Sequence, residues 1–243
     1  CPLLKELDIL RIPTMSTVQS TIHCISALTC IHSIWTPDIL LDTTETSHYA
    51  MSIPYLTELQ EIIAVGTIDH VLLPLIAQYC LKLESVGIDD ASTTTSKQLL
   101  QLTQNCHHLH SIYLFKLNLC YDELIIKIAK HCPNLKKLYL GSYANFHSVT
   151  DSSLLALSEH CPQLYELDFH SCILITEAVV LQLIHNCKKL YILRIPLTCL
   201  SEDTVLTLPV TAIKTSTALT LTFDKDSCNL YTSTSENNVA SMY

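Results

Sequence analysis

Glycine is scarce in this chain: among 243 residues there are only Gly66, Gly87 and Gly141. Phosphate-binding loops of the G-x-G-x-x-G or G-x-x-x-x-G-K-[ST] kind need several glycines close together, so that the backbone can approach the phosphate groups. No such cluster occurs in the sequence. A nucleotide-binding fold of the doubly wound type is therefore not expected.

Basic residues and long apolar runs are also in short supply. The chain has 14 Lys and Arg against 23 Asp and Glu, for a net charge of −9. Nucleic-acid affinity is built from Lys and Arg contacts to phosphates, so we expect no nucleic-acid partner. The densest apolar run, VLLPLIA at 71–77, contains Pro74 and is too short to cross a bilayer. We expect no membrane partner and see no secretory leader.

Cysteine, by contrast, is abundant, with 12 in the chain. In a short secreted protein such a number indicates a disulfide framework. Here no C-x-x-C pair occurs, and no Asn lies in an Asn-x-Ser/Thr acceptor triplet. We therefore expect free thiols in a reducing, intracellular compartment, the cytoplasm or the nucleus. The chain begins at Cys1 in the middle of a recurring phrase, from which we expect further sequence upstream.

The phrase recurs at a nearly constant step. Cys80, Cys106, Cys132, Cys161 and Cys187 are spaced 26, 26, 29 and 26 residues apart, and Cys1 begins the same pattern, C-x-x-L-x-x-L-x-L. A period of about 20–29 residues is typical of leucine-rich repeats. The apolar triplets that follow the six cysteines are Leu4, Leu7 and Ile9; Leu83, Val86 and Ile88; Leu109, Ile112 and Leu114; Leu135, Leu138 and Leu140; Leu164, Leu167 and Phe169; and Leu190, Leu193 and Ile195.

Each unit combines two periods. Its L-x-L piece alternates as a half-buried strand does, and its second half has helical spacing, with Leu154, Leu157 and Cys161 at i, i+3 and i+7. Thr150 and Thr176 stand where helix N-caps belong. Acidic residues follow both, as suits the positive end of a helix. Ser201-Glu202-Asp203 repeats the arrangement.

These units predict an α/β fold, a leucine-rich repeat solenoid or horseshoe. Strands stack about 4.8 Å apart and helices about 8–10 Å apart, so parallel strands should line the concave face and helices the convex face. We assign residues 1–223 to this domain, with about eight repeats. Within it, 31–79 holds two weaker units and an irregular acidic loop at 36–54, and Ala218–Phe223 is a final strand. Residues 224–243 are predicted to be a disordered polar tail.

The stretch HCPQLYELDFHSCILITEAVVLQLIHNC resembles the cysteine-containing repeats of F-box/LRR proteins, the substrate-recognition subunits of SCF ubiquitin ligases. The resemblance is strong over 80–208 and adequate over 1–30. It implies a protein-interaction module that presents a bound target for ubiquitin transfer by other subunits. The F-box that binds Skp1 is not found in this chain. Contact with Skp1 and cullin is therefore expected only through an F-box outside it.

Residues between the buried strand positions should point into the concave space, where a target protein would bind. Three rows result: Asp8, Gly87, Tyr113, Tyr139, Asp168 and Arg194; Leu10, Asp89, Phe115, Gly141, His170 and Pro196; and Glu6, Ser85, Ser111, Lys137, Glu166 and Ile192. Aromatic residues within a polar surround are typical of binding hot spots. The candidate partner-binding residues are Tyr113, Phe115 and Tyr139, flanked by Asp89, Glu166, Asp168 and His170, with Arg194 beyond.

Four alternative functions have some support in the sequence or the fold. Cys106-His107-His108-x-His110 is rich in metal-ligand types, but its cysteine is explained by the repeat, and we expect no metal and no cofactor. Cys172 with His170 lacks an orienting third group for thiol catalysis, so we expect no catalytic residue and no enzyme. An extracellular ectodomain would carry glycosylation sites. A non-ligase scaffold or inhibitor-like binding protein stays open, because the repeats alone do not distinguish it from a ligase subunit.

Overall fold

A computed structural model describes residues 6–8, 33–36, 53–67, 72–91, 94–116, 122–140, 149–170, 172, 174–196, 198–208, 210–214, 218–223 and 230–232. Strands and helices alternate along this part of the chain. The strands are β1 Glu6–Asp8, β2 Ser33–Thr36, β3 Glu61–Thr67, β4 Ser85–Asp90, β5 Ser111–Leu114, β6 Lys137–Leu140, β7 Glu166–Asp168, β8 Ile192–Pro196, β9 Val210–Lys214, β10 Ala218–Phe223 and β11 Leu230–Thr232. The helices are α1 Leu72–Tyr79, α2 Ser96–Asn105, α3 Asp122–His131, α4 Asp151–His160, α5 Glu177–Asn186 and α6 Glu202–Thr207, with a 3-10 turn at Ile53–Tyr55.

All of these strands belong to one sheet, in the order β1-β2-β3-β4-β5-β6-β7-β8-β10-β9-β11. Strands β1 to β8 are parallel neighbours in chain order. Between β3 and β9, a helix connects each strand to the next. This arrangement confirms the predicted α/β leucine-rich repeat solenoid.

The register of the stack is set by a repeated backbone interaction. The N–H groups of Lys136 and Lys137 both donate to the carbonyl of His110, at 2.7 and 3.0 Å. Those of Tyr165 and Glu166 donate in the same way to Lys136, at 2.7 and 2.9 Å. These bonds place equivalent residues of neighbouring strands side by side and so fix the register of the sheet.

The core lies between the sheet and the helices and is built from the template leucines. Leu83, Leu109, Leu135 and Leu164 are completely buried at the turn from helix to strand. Helix residues such as Leu154 pack against them from the other layer. Burying each leucine side chain contributes about 1.5–3 kcal/mol, and the burial is supplied by the neighbouring repeat. Stacking therefore stabilises units that would expose their leucines if isolated.

The template cysteines form a second ladder through the interior. The thiol of Cys106 donates to the carbonyl of Cys80 (3.5 Å), Cys161 to Cys132 (3.6 Å) and Cys187 to Cys161 (3.7 Å). All seven cysteines in the described residues are free and buried, which confirms free thiols for this part of the chain. Burial raises the pKa of Cys80, Cys132 and Cys161 to about 12 and the pKa of Cys106, Cys187 and Cys199 to about 11.

A third ladder links the helix N-termini of successive repeats. The Asp122 carboxylate, at the start of α3, accepts hydrogen bonds from the backbone N–H and hydroxyl of Thr150 (2.8 and 2.6 Å) and from the Ser153 hydroxyl (2.5 Å). Asp151 accepts from both groups of Thr176 at 2.7 Å, and Glu177 accepts from Ser201. An acid at the start of one helix thus holds the capping residue of the next.

The predicted N-cap positions are confirmed, but the three capping residues differ in the contacts of their side chains. Thr150 and Ser201 accept from backbone N–H groups of their own helices, as N-caps do. Thr176 occupies the N-cap position of α5, but its side chain makes no capping hydrogen bond. Its hydroxyl donates to Asp151 instead. The acidic residues therefore connect repeats in addition to lying at the positive ends of their helices.

The C-terminal end of the sheet differs from simple continuation of the repeat. Ala218–Phe223 forms the predicted strand, but β10 runs antiparallel to both β8 and β9. Only residues 215–217 connect β9 to β10. A connection that short permits an antiparallel pair, whereas parallel strands need a crossover of a dozen or more residues. Leu230–Thr232, within the segment predicted as a disordered tail, pairs with β9; the rest of 224–243 lies outside the described residues.

The weaker units over 31–79 also join the sheet. Ile34 lies in β2 and Ile62 in β3, and these residues face each other in the register. The segment IDHVLLPLIAQYC contains α1, as predicted. Thr36 ends β2 and Ile53–Tyr55 forms the 3-10 turn, while residues 37–52 of the predicted acidic loop lie outside the described residues.

The buried thiols lead to a first prediction. At pH 7.5 the seven described cysteines should resist alkylation by iodoacetamide in the native protein. The thiolate is the reactive form, and a pKa of about 11 leaves less than about one thiol in a thousand ionised. Timed alkylation followed by peptide mass spectrometry measures this, and the same peptides in urea provide the control. Rapid labelling of any of the seven in the native state would contradict the buried ladder.

A second prediction concerns the helix-start ladder. Asp122→Asn should destabilise the protein by about 1–3 kcal/mol at pH 7, because a partly buried charged acceptor of three hydrogen-bond donors is lost. Burial raises the pKa of Asp122, but the hydrogen bonds from Ser153 and Thr150 outweigh it, so the net pKa is lowered. The contribution is present above the ordinary aspartate pKa and is lost as the pH falls through the lowered value.

The measurement is urea unfolding of the unsubstituted protein and of Asp122→Asn at pH 7 and at pH 3. The difference between their free energies of unfolding should be smaller at pH 3. The matched control is Glu123→Gln, one residue away, whose carboxylate forms an exposed ion pair with Lys127 at 2.5 Å. That pair should contribute less than about 1 kcal/mol. Equal effects of the two substitutions would mean that the ladder does not connect the repeats energetically.

Candidate functional site on the concave face

The strand register aligns the predicted concave rows. Ser85, Ser111, Lys137 and Glu166 are consecutive partners across β4 to β7, and the next outward row is Gly87, Tyr113, Tyr139, Asp168 and Arg194. The residues between these rows, such as Val86 and Leu138, are fully buried in the core. Because strand side chains alternate between faces, both rows lie on the concave face. The structure thus aligns two of the three predicted rows over β4 to β8, and the binding role of these residues stays a prediction.

Two tyrosines form the centre of this face. The rings of Tyr113 and Tyr139 stack with centroids 4.9 Å apart and an interplanar angle of 25°. The Arg194 guanidinium carbon lies 6.0 Å from the centroid of Tyr139, within reach of a cation–π contact. Tyr139 is only 5% exposed, although it lies outside the core cluster. Its neighbours on the concave face cover it, so Tyr113 offers more aromatic surface than Tyr139 does.

Glu166 connects the aromatic pair to a lysine. Its carboxylate accepts a hydrogen bond from the Tyr139 hydroxyl and forms an ion pair with Lys137 at 2.9 Å. Burial lowers the pKa of Lys137, but hydrogen bonds and charge interactions with Glu166 and Tyr113 together outweigh it, and the net pKa is raised. Burial also raises the pKa of Tyr113. Lys137 was not among the candidate residues, although its place in the same row as Glu166 was a signal for it.

Asp168 forms the second charged group of the site. It is 4% exposed and lies between two basic side chains, with His170 Nδ1 at 2.5 Å and Arg194 Nη1 at 3.3 Å. The backbone N–H of His170 also donates to it, at 3.2 Å. The hydrogen bond to Asp168 raises the pKa of His170 above its ordinary value. This buried carboxylate therefore fixes the positions of the imidazole and the guanidinium.

The concave face carries smaller side chains at its β4 end. A Cβ at Gly87 would lie 2.7 Å from Cδ1 of Ile63, so the missing side chain makes room for the isoleucine of the preceding strand. Ser85 and Ser111 beside it are small and buried. Phe115 follows β5 and is partly exposed, with its N–H donating to the carbonyl of Ile88 at 3.0 Å. Asp89 lies in β4, but its side chain is outside the described part of the structure.

The structure thus brings most of the candidate residues together over β5 to β8. Tyr113, Tyr139, Glu166, Asp168 and Arg194 form one continuous patch with Lys137 and His170. Its charges are paired within the chain, and its rings are stacked. The patch is a rigid polar wall with an aromatic centre, which suits contact with another macromolecule.

The residues considered for metal or thiol chemistry are arranged differently. Cys106 is buried, with its thiol on the Cys80 carbonyl, whereas His107 and His108 are exposed. His110 contacts Ser111 and Glu84. Within the described ranges, no group of three or more His, Cys, Asp or Glu side chains is placed to hold a metal ion. Cys172 is wholly buried behind β7. In the same described ranges, no helix has the length and apolarity needed to span a bilayer.

Comparison with known proteins supports the fold. No protein-family model matches the chain. Among solved structures, it is similar to a chain in the crystal structure of the Rad7 and Elc1 complex in yeast, with a TM-score of 0.52 and 17% sequence identity. The match covers 77% of this chain and 55% of that one, so the protein spans little more than half of its structural relative. A likeness at this identity is a likeness of fold.

The Asp168 cluster leads to a third prediction. His170 should hold its proton to a higher pH than an ordinary histidine, and Asp168→Asn should lower its pKa. Because the pKa is raised on folding, the interaction stabilises the protein below the ordinary histidine value of about 6.5 and is lost as the pH rises through the raised value. An NMR titration of the His170 ring in both proteins is the measurement.

Glu177→Gln serves as the control, since it removes a carboxylate from the start of α5, and it should leave the His170 titration curve unchanged. A curve that is the same with and without the Asp168 carboxylate would show that the two side chains do not interact in solution.

Proposed function

We propose that this protein is a protein-binding module whose concave face recognises a target polypeptide, and that it is the substrate-recognition domain of an F-box-type ubiquitin ligase subunit. The observation that carries the binding role is the continuous patch over β5 to β8. There, Tyr113 and Tyr139 stack beside two sets of paired charges, Lys137 with Glu166 and Asp168 with Arg194.

The preorganisation of this patch favours binding. Ordering a flexible side chain at an interface costs about 0.5–1.5 kcal/mol. Lys137 and Arg194 are already held by carboxylates, and Tyr139 is held by its stack and its hydroxyl contact. A partner would therefore meet groups whose rotamer entropy was lost on folding. The half-buried ring of Tyr113 and the partly exposed Phe115 offer the apolar contact.

The protein is proposed to bind and not to catalyse. The carboxylates Glu166 and Asp168 are engaged by basic partners, and the described thiols of the repeat are buried. In this role the target is presented to other subunits, which carry out ubiquitin transfer. We propose the cytoplasm or the nucleus as the place where this happens, with no cofactor.

The ligase connection rests on the cysteine-type repeat and its resemblance to F-box/LRR proteins. A solved structure with a similar fold is a complex, of Rad7 with Elc1, which is in keeping with a fold that works with protein partners. Skp1 and cullin would be reached through an F-box outside this chain. The alternative, a non-ligase scaffold or inhibitor-like binding protein, stays open, because a match at 17% identity leaves only the fold in common.

Co-purification distinguishes the two. The tagged full-length protein should recover Skp1 and a cullin from cells, whereas the 243-residue chain alone should recover neither. Recovery of neither by the full-length protein would remove the ligase role and leave the scaffold.

The concave site itself leads to a fourth prediction. For a partner purified after such an experiment, Tyr113→Ala and Arg194→Ala should each weaken binding by about tenfold or more, because residues at the centre of an interface contribute most of its affinity. Isothermal titration calorimetry measures the effect. Tyr55→Ala and Lys97→Ala are matched controls, since both residues are exposed and neither lies on these concave rows. Unchanged affinity in both concave variants would place the contact elsewhere.

A further inference from the structure

A second surface lies along the edge of the solenoid where each helix turns into the next strand. The residues just before the strands are stacked there by the backbone ladder, since the N–H of Lys136 donates to His110, that of Tyr165 to Lys136 and that of Tyr191 to Tyr165, each at 2.7 Å. Lys136, Tyr165 and Tyr191 therefore stand in one column, on three successive repeats. This column is separate from the concave rows.

The two tyrosines of this column are unusually exposed for aromatic residues in contact. Their rings stack with centroids 5.1 Å apart and an interplanar angle of 17°, and they are 39% and 40% exposed. Stacking fixes both rings while leaving apolar surface in water. Exposed aromatic surface on a rigid element is the kind of surface that interfaces use as an anchor.

The charge around the tyrosines is opposite to that of the protein as a whole. Lys136, Lys188 and Lys189 are exposed in the same turns, and Lys189 contacts the Gln163 side chain. The turns CPNLK at 132–136, CPQLY at 161–165 and CKKLY at 187–191 contain no Asp or Glu, while the chain carries a net charge of −9. Two acids flank them: Glu159, exposed on α4, and Glu166, held by Lys137 on the concave face.

We propose that this turn strip, defined by Lys136, Tyr165, Lys188, Lys189 and Tyr191, binds an acidic peptide segment of a partner protein. The lysines attract the carboxylates of the peptide. The tyrosine pair packs against an apolar or aromatic residue that lies between those carboxylates in the peptide sequence. From Lys136 to Tyr191 the column rises two strand spacings, about 10 Å, which an extended peptide covers with about three residues. The site is distinct from the concave face and does not depend on the proposed function.

An acidic peptide fits the strip better than a nucleic-acid strand does. Tyr165 and Tyr191 stack on each other, so each ring has at most one face left for a base, which halves the stacking surface that a nucleic-acid strand would use. Three lysines on a chain of net charge −9 also provide little of the positive groove that a phosphate backbone requires. A peptide with carboxylates on both sides of one apolar residue needs only nearby lysines and an exposed aromatic surface, and the turn strip has both.

The test measures binding of a fluorescein-labelled peptide, Glu-Asp-Glu-Phe-Glu-Asp-Glu, to the full-length protein by fluorescence anisotropy at 50 mM and 300 mM NaCl. We expect saturable binding that weakens with salt. The double variant Tyr165→Ala/Tyr191→Ala should weaken it by about tenfold or more, and Lys188→Ala/Lys189→Ala by about fivefold with a smaller salt dependence. Because all four side chains are exposed, circular dichroism should show that the variants stay folded.

Matched controls separate this site from other surfaces. Tyr55→Ala and Lys97→Ala remove an exposed tyrosine and an exposed lysine elsewhere and should leave binding unchanged. Arg194→Ala, on the concave face, should also leave peptide binding unchanged. If this variant lost peptide binding, the proposal of a site separate from the concave face would be overturned. The proposal also fails if the peptide does not bind at 1 mM, if a Gln-for-acid version binds equally well, or if an eight-nucleotide oligothymidylate binds more tightly through the same residues.

Discussion

One backbone interaction controls the geometry of the stacked repeats from β4 to β8: two consecutive N–H groups at the start of a strand share a single carbonyl of the preceding turn. The arrangement recurs from Glu84 and Ser85, which donate to Gln60, to Tyr191 and Ile192, which donate to Tyr165. It holds neighbouring strands in step, and a slip of one residue would exchange the core and surface faces. The leucine core, the cysteine ladder and the concave rows all follow from that register.

Much of this architecture could be predicted from the sequence because its causes are local and repeated. The alternation around Leu138 and Leu140 and the 26-residue step determined the strands, the helices and the composition of the concave rows. What could not be predicted depends on particular neighbours. The burial of Tyr139 results from Arg194 and Glu166, on two other strands. The direction of β10 results from the three-residue connection before it, where no repeat pattern applies.

The concave patch and the turn strip treat charge in opposite ways. On the concave face, Asp168 and Glu166 each satisfy a basic side chain, so a partner there must fit an existing arrangement more than it must neutralise a charge. Along the turn strip, the three turns leave lysines with few nearby carboxylates beside exposed rings. The concave patch therefore favours partners of complementary shape. The turn strip favours long-range electrostatic attraction, whose range decreases as the salt concentration rises.

The antiparallel strand β10 has a consequence for how such a chain can change in evolution. A strand-loop-helix repeat can be duplicated or deleted in the middle of the stack. The strands on either side then pair with strands that present the same hydrogen-bonding pattern. At the C-terminal end, β10 runs antiparallel to β8, so the parallel pattern stops at that pair and the sheet continues instead through β9 and β11. Gene duplication can therefore lengthen the parallel stack that precedes β10, but it cannot continue the parallel repeat through β10 itself.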